Sequence, residues 1–172
     1  MRAVLAGEPG FAAELVWPAA EPLLAPLVSP PLSADEAEGL DLILEGFLLH
    51  HGRPRHLAPS EPGREVLAGD YCYATGLVRI AAAGDLFVVE ALADLIALGA
   101  GLVAAGEREG LEPLWRATTL AIARRRGPAE AETAHRFLEA QGALRSAGDA
   151  GPLAALAAGL PPTPPLAEAL AA

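Results

Sequence analysis

Lysine is missing from this chain: every one of its twelve Lys/Arg positions is arginine. That excludes Schiff-base chemistry on a lysine amine and the lysine of a phosphate-binding P-loop. One cysteine, Cys72, leaves no intrachain disulfide and no cysteine zinc site. Aromatic residues are only 5% of the chain and β-branched residues are sparse, a composition that favours helices over strands. Positive charge is scarce too, with 22 acidic residues and a formal net charge of −10. A nucleic-acid binder needs a basic footprint, and so does electrostatic docking to anionic lipid, so both are disfavoured. The opening MRAVLAGEPG holds no apolar run of signal-peptide length, and cytoplasmic residence is the default expectation. No aspartate follows another aspartate anywhere in the chain.

What the chain does have is apolar residues, 52% of its 172, enough for a large core and too many for disorder. The length suits one domain. Eighteen glycines and sixteen prolines fall between apolar periodic segments and read as helix punctuation. The expected organisation is a single all-α domain over 1–172, with a proline-interrupted arm at 1–32, a helical core at 33–148 and short C-terminal helices at 149–172. In the arm, Pro18, Pro22 and Pro26 break the pattern, so a short helix at 11–16 and a second broken piece are expected. The arm packs either on another surface or as a strap on its own domain. Ser33-Ala34-Asp35-Glu36 is a capping box that opens a helix running to about residue 50. Further helices are predicted at 62–83, with Ser60 as cap and Pro62 in its first turn, and at 86–105, capped by Asp85. Others are predicted at 112–126, closed by Arg124-Arg125-Arg126, and at 129–146, 152–158 and 165–171.

Four places carry candidate chemistry. On a helical wheel Asp70 falls among Val66, Leu67, Tyr73, Ala74, Leu77 and Ala81, the apolar face of helix 62–83. A carboxylate there must be paired, hydrogen-bonded or neutral, so Asp70 is expected to be buried with a partner, structural before functional. Glu38, Asp41 and Glu45 follow one another along helix 33–50. They can hold a divalent metal, but a solvated helix face is the commoner meaning of such a row. His50, His51, Arg53, Arg55 and His56 form the chain's cationic cluster at a helix end. It suits a phosphate or a metal, with a plain polar helix terminus as the stronger explanation. Helix 86–105 is apolar nearly all round, so it is either central in the core or covered by a partner. Glu90 and Asp94 near its middle argue against a membrane span.

Leu67-Ala68-Gly69-Asp70-Tyr71, followed by an apolar helix, the Gly84-Asp85 turn and a second apolar helix, resembles the middle of the trans-polyprenyl diphosphate synthases. It is most similar to the small, non-catalytic subunit of the heterodimeric heptaprenyl and polyprenyl enzymes. The resemblance covers residues 40–127 and implies an isoprenoid-synthase-like antiparallel helical bundle, here truncated. Catalytic members hold Mg²⁺ on an allylic diphosphate with two aspartate-rich motifs, because ionisation leaves concentrated charge for metal ions to take up. Neither motif is present here, and Thr118-Thr119 is the nearest remnant of a lysine–threonine pair. The resemblance therefore implies a subunit with no catalytic residues and no cofactor of its own. Mg²⁺ is expected only on a catalytic partner that makes the side chains of isoprenoid quinones such as menaquinone. Asp70, Tyr71, Cys72, Thr75, Gly76, Phe87, Glu90 and Asp94 are the expected partner interface. The small residues Ala68, Cys72, Thr75, Gly76 and Ala83 would let a helix of the partner approach closely. Gly52, Pro54 and His56 resemble a basic segment of catalytic members, which makes Arg53, Arg55 and His56 the candidate phosphate-binding group. Two rivals stand beside this reading: a helical homodimeric scaffold without prenyl chemistry, and a metal-dependent enzyme built on Glu38, Asp41, Glu45 and the histidines.

Overall fold

A computed structural model describes residues 1–125 and 127–171, and every regular element among them is helical. Arg126, expected in the arginine run closing a helix, and Ala172, expected in the C-terminal segment, lie outside the described residues. The helices are α1 (Arg2–Gly7), α2 (Ala25–Val28), α3 (Ala34–His51), α4 (Pro62–Ala81), α5 (Leu86–Ala105), α6 (Leu111–Ala123), α7 (Glu130–Ala147), α8 (Gly151–Ala157) and α9 (Pro164–Leu170). Short 3-10 turns lie at Ala12–Glu14 and Arg108–Gly110.

Local signals set most helix ends. Ser33 caps α3 through a reciprocal box: its Oγ accepts from the Glu36 N–H, and the Glu36 carboxylate accepts from the Ser33 N–H at 2.9 Å. Pro62 opens α4 at its first turn, behind Glu61 rather than the expected Ser60. Gly106 closes α5 and Gly148 closes α7, both in the left-handed conformation that only glycine enters cheaply.

The central helix is α3, not α5. Thirteen of its residues, from Glu36 to Leu49, are buried, because the N-terminal segment, α4 and α5 all lie against it. Its Phe47 meets Trp115 of α6 edge-on, with ring centroids 5.4 Å apart, at the middle of the main core. The hydroxyls of Thr118 and Thr119 bond back to the carbonyls of Leu114 and Trp115, so both buried threonines are satisfied inside α6.

Residues 1–32 form a strap on the protein's own helices. The expected helix at 11–16 is replaced by the 3-10 turn, and α1 forms upstream of it, seating Leu5 among Leu42, Leu49, Leu57, Ala68 and Cys72. Burial of Leu5 is what holds a helix too short to be stable alone. The strap is tied down by the Val16 N–H to His56 carbonyl bond (2.9 Å), the Ala58 N–H to Glu14 carbonyl bond (2.8 Å) and Arg2 Nη1 on the Val16 carbonyl (2.9 Å).

The α3–α4 pair is the tightest contact in the fold. A Cβ on Gly76 would stand 2.6 Å from the Gly39 carbonyl oxygen, and one on Gly39 would stand 2.9 Å from that of Gly76. Two turns away the contact recurs: a Cβ on Gly46 would meet the Gly69 carbonyl at 3.0 Å, and one on Gly69 would meet His50 Nε2 at 2.5 Å. Paired glycines at both levels bring the two backbones nearly into contact.

Candidate functional site

The glycine contacts decide which way α4 faces, and the expected orientation is corrected by them. Its small-residue side, Ala68, Gly69, Cys72, Gly76 and Ile80, is buried against the protein's own α3. Much of the larger apolar side is turned outward, with Val66 51% exposed and Leu67 63%, as is Val78 at 70%, while Tyr73 and Leu77 of that side pack half-buried on the main core. Asp70 goes out with them. It is 66% exposed rather than buried, and its Oδ1 lies 3.3 Å from His50 Nε2 at the end of α3. The wheel located two faces correctly, but bulk lost to close approach. A side that carries glycine opposite glycine lets whole backbones pack, and α3 took it.

Several residues expected at a partner interface are therefore engaged internally. Cys72 and Gly76 are buried under α3 and cannot touch another chain. Burial, with the Glu45 charge close by, pushes the Cys72 thiol up to about 12, so it stays protonated and inert. Tyr71 packs on Phe11 of the strap, with ring centroids 5.2 Å apart. Thr75 is half-buried. On α5, Glu90 is exposed, Phe87 is half-buried under the Arg125 guanidinium (4.7 Å) and Asp94 pairs with Arg145 of α7 at 2.8 Å. The surface that remains open holds Asp70 and Glu90 together with residues the sequence did not single out for it. On α4 these are Val66, Leu67, Ala74 and Val78; on α5 they are Leu86, which is 79% exposed, Ala93, Ala97 and Gly101. The inner side of α5, Val88, Ala91, Leu92, Leu95, Gly99 and Leu102, is buried in the core. By length and composition α5 is also apolar enough to cross a bilayer, and a third of that window is buried within the protein.

Two carboxylates of the acidic row of α3 are turned inward and taken up by backbone N–H groups rather than left on a solvated face. Asp41 is buried, and its Oδ1 accepts the backbone N–H groups of Leu23 (3.0 Å) and Leu24 (2.9 Å), while Oδ2 accepts that of Ala25 (2.9 Å). Glu45 is buried one turn further on. Its Oε1 accepts from the backbone of Arg55 (3.1 Å), His56 (2.7 Å) and Leu57 (3.0 Å). Each carboxylate thus clamps an irregular segment whose N–H groups have no helix or sheet to satisfy them. Burial pushes both carboxyls above the ordinary carboxylate range, and the backbone donors pull them back. Glu38, the third of the row, pairs with Arg79 at 3.0 Å and with the Met1 ammonium. Among the described residues no group of three metal-ligating side chains converges.

The cationic cluster is divided as well. Arg53 and Arg55 border a cavity of about 190 Å³ beside Glu168 and Pro165 near α9, where a carboxylate faces any anion the arginines would draw. His56 is not part of it. Its ring is buried on the other side of the loop, at a cavity of about 440 Å³ between the strap and α3. His50 stacks on Tyr73, with ring centroids 5.4 Å apart, and His51 lies against Phe47. His56 therefore does not share a site with His50 and His51, whose ring centroids lie 5.8 Å apart. With this geometry in view, comparison adds no relative: no family model, no curated protein and no solved structure matches the chain.

Proposed function

We propose that this chain is the non-catalytic subunit of a heterodimeric polyprenyl diphosphate synthase and docks on its catalytic partner through the outward sides of α4 and α5. The observation that carries the reading is the exposed apolar surface of Val66, Leu67, Val78 and Leu86. It lies within the stretch whose Leu67-Ala68-Gly69-Asp70-Tyr71 segment resembles that family. Large apolar groups left in water on two successive helices would gain from a covering partner, since burying each contributes roughly 1.5–3 kcal/mol. The catalytic partner would supply both aspartate motifs and the Mg²⁺ they hold. This chain would contribute a wall of the product tunnel and so help set the length of an isoprenoid quinone side chain.

Reconstitution tests this. Mixed with a catalytic polyprenyl synthase subunit, the chain should form a complex that extends an allylic diphosphate with isopentenyl diphosphate. Val78→Glu, at a position already open to water, should weaken the complex by about tenfold or more without unfolding the chain, since about 1.4 kcal/mol of lost contact suffices. Mg²⁺-dependent turnover by the isolated chain would refute the reading, and so would a Val78→Glu variant that binds as well as the parent. A helical homodimeric scaffold without prenyl chemistry is the second reading, favoured by the same open apolar side of α4, which a second copy of the chain would cover equally well. It predicts concentration-dependent self-association in sedimentation that Val78→Glu abolishes and that added synthase subunit leaves unchanged.

A further inference from the structure

The cavity of about 440 Å³ beneath the strap falls in the size range of small-molecule sites, about 300–1,000 Å³. Its existence has a structural cause. Pro22 and Pro26 hold the strap's backbone angles, and Asp41 grips the N–H groups of Leu23, Leu24 and Ala25, which fixes the strap against α3. Ala20 and Ala25 of the strap and Ala34 and Ala37 of α3 border the gap and are too small to fill it. With the two prolines they make most of its wall apolar.

The charges around this apolar wall are not all matched. Both oxygens of Asp41 accept backbone N–H groups, and Glu38 pairs with Arg79 and the Met1 ammonium. His56 is neutral at physiological pH, because burial, with Arg55, the chain's amino terminus and Arg2 nearby, lowers its pKa to about 4. Arg2, which also borders the cavity, is the exception. Its Nη1 donates to the neutral Val16 carbonyl at 2.9 Å, and its guanidinium lies 5.3 Å from the centroid of the Trp17 ring. Among the described residues no carboxylate pairs with it. Its Nε and Nη2 carry no hydrogen bond and are not sealed from solvent. Those two nitrogens form an edge of the guanidinium that takes a carboxylate side-on through two parallel bonds. Leu5, buried one turn further along α1, anchors the helix that carries Arg2. One guanidinium balances one negative charge, whereas a dianion would leave a surplus beside Asp41 and Glu38. We propose that the cavity beneath the strap binds a small amphipathic monocarboxylate, its carboxylate on the Arg2 guanidinium and its apolar body against the alanines and prolines of the strap and α3.

The test uses the full chain, labelled with ¹⁵N-arginine, and octanoate below its micellar concentration. Saturable binding is expected, together with a shift of the Arg2 Nε–H resonance. Affinities are read from saturation transfer to the ligand, so they carry over to variants that lack Arg2. Octan-1-ol keeps the chain without the charge, and acetate keeps the charge without the chain. Each should bind the parent protein about tenfold more weakly than octanoate, or worse. Arg2→Met should weaken octanoate by about the same tenfold factor and leave octan-1-ol unchanged. Ala20→Leu, at a half-buried position of the strap, fills the cavity and should weaken octanoate about tenfold. Ala34→Leu fills it from the exposed start of α3 and decides the matter should Ala20→Leu fail to fold. The proposal is overturned if octanoate does not bind saturably or leaves the Arg2 resonance in place. It is equally overturned if octan-1-ol or acetate binds as tightly as octanoate, or if Arg2→Met or the cavity-filling variant binds octanoate as well as the parent.

Discussion

Replacing Gly76 by alanine should destabilise this protein, although alanine is the better helix former. In an exposed helix interior the change is worth about 0.5–1 kcal/mol in favour of alanine, through the backbone entropy glycine loses on folding. At Gly76 the new methyl would stand 2.6 Å from the Gly39 carbonyl oxygen, 2.7 Å from Ile43 Cγ1 and 3.2 Å from the Ile43 nitrogen. Two of these three atoms belong to the α3 backbone, so no side-chain rotation relieves the clash and the helices must separate. Overpacking of this kind costs about 1–3 kcal/mol, and moving apart also loosens the second glycine pair, Gly46 with Gly69. The net expectation is a loss of about 1–2 kcal/mol, or roughly 2–8 °C in Tm for a chain of this size. Gly142, on α7, is the control: a Cβ added there would meet nothing within 4 Å, and Gly142→Ala should raise Tm by a few degrees. Gly39→Ala and Gly76→Ala together should cost less than their sum, because the first substitution opens the gap the second needs. Thermal and urea unfolding of these variants beside the parent would measure all of this. A Gly76→Ala protein at least as stable as the parent would refute the claim that backbone contact holds α3 to α4.

The remaining predictions concern the carboxylates and His56. Glu45→Ala should cost at least about 3 kcal/mol, because it strands the buried N–H groups of Arg55, His56 and Leu57 at roughly 1–3 kcal/mol each; a loss below about 1 kcal/mol in urea unfolding would show that the clamp is idle. Asp70→Ala should change stability by less than about 1 kcal/mol, since its pairing with His50 is largely in water; a loss near roughly 3 kcal/mol would restore the buried role the wheel suggested. His56 has a folded pKa of about 4 against an ordinary 6.5, so the stability it confers by staying neutral is full above pH 6.5 and is lost as pH falls from there through about 4. That loss amounts to about 3 kcal/mol, while Asp41 and Glu45, whose carboxyls are raised, act in the opposite direction as they take up protons. His56→Gln should therefore lose less stability than the parent between pH 6.5 and 4, and parallel acid-unfolding curves would contradict this.

Helix identity and most helix ends are local properties, and residues close in sequence determined them here. The Ser33–Glu36 box, Pro62 at a first turn and the left-handed glycines at 106 and 148 each satisfy or release backbone groups within a few positions, so no distant residue has to be known. Apolar periodicity likewise located two distinct sides of α4. Which of them would be buried depended on α3 presenting Gly39 and Gly46 at the levels of Gly76 and Gly69, a match between residues more than twenty positions apart that no wheel of one helix contains. The roles of Asp41 and Glu45 were hidden for the same reason. A carboxylate row reads as solvated until the strap and the loop after α3 bring their unpaired N–H groups to it. His56 was visible as one of a cationic cluster, but tertiary packing separated it from Arg53 and Arg55 and placed it at the cavity under the strap. Short-range hydrogen bonding and helical propensity are written into neighbouring residues, whereas burial is a property of pairs of surfaces, and only the assembled fold decides which surfaces meet.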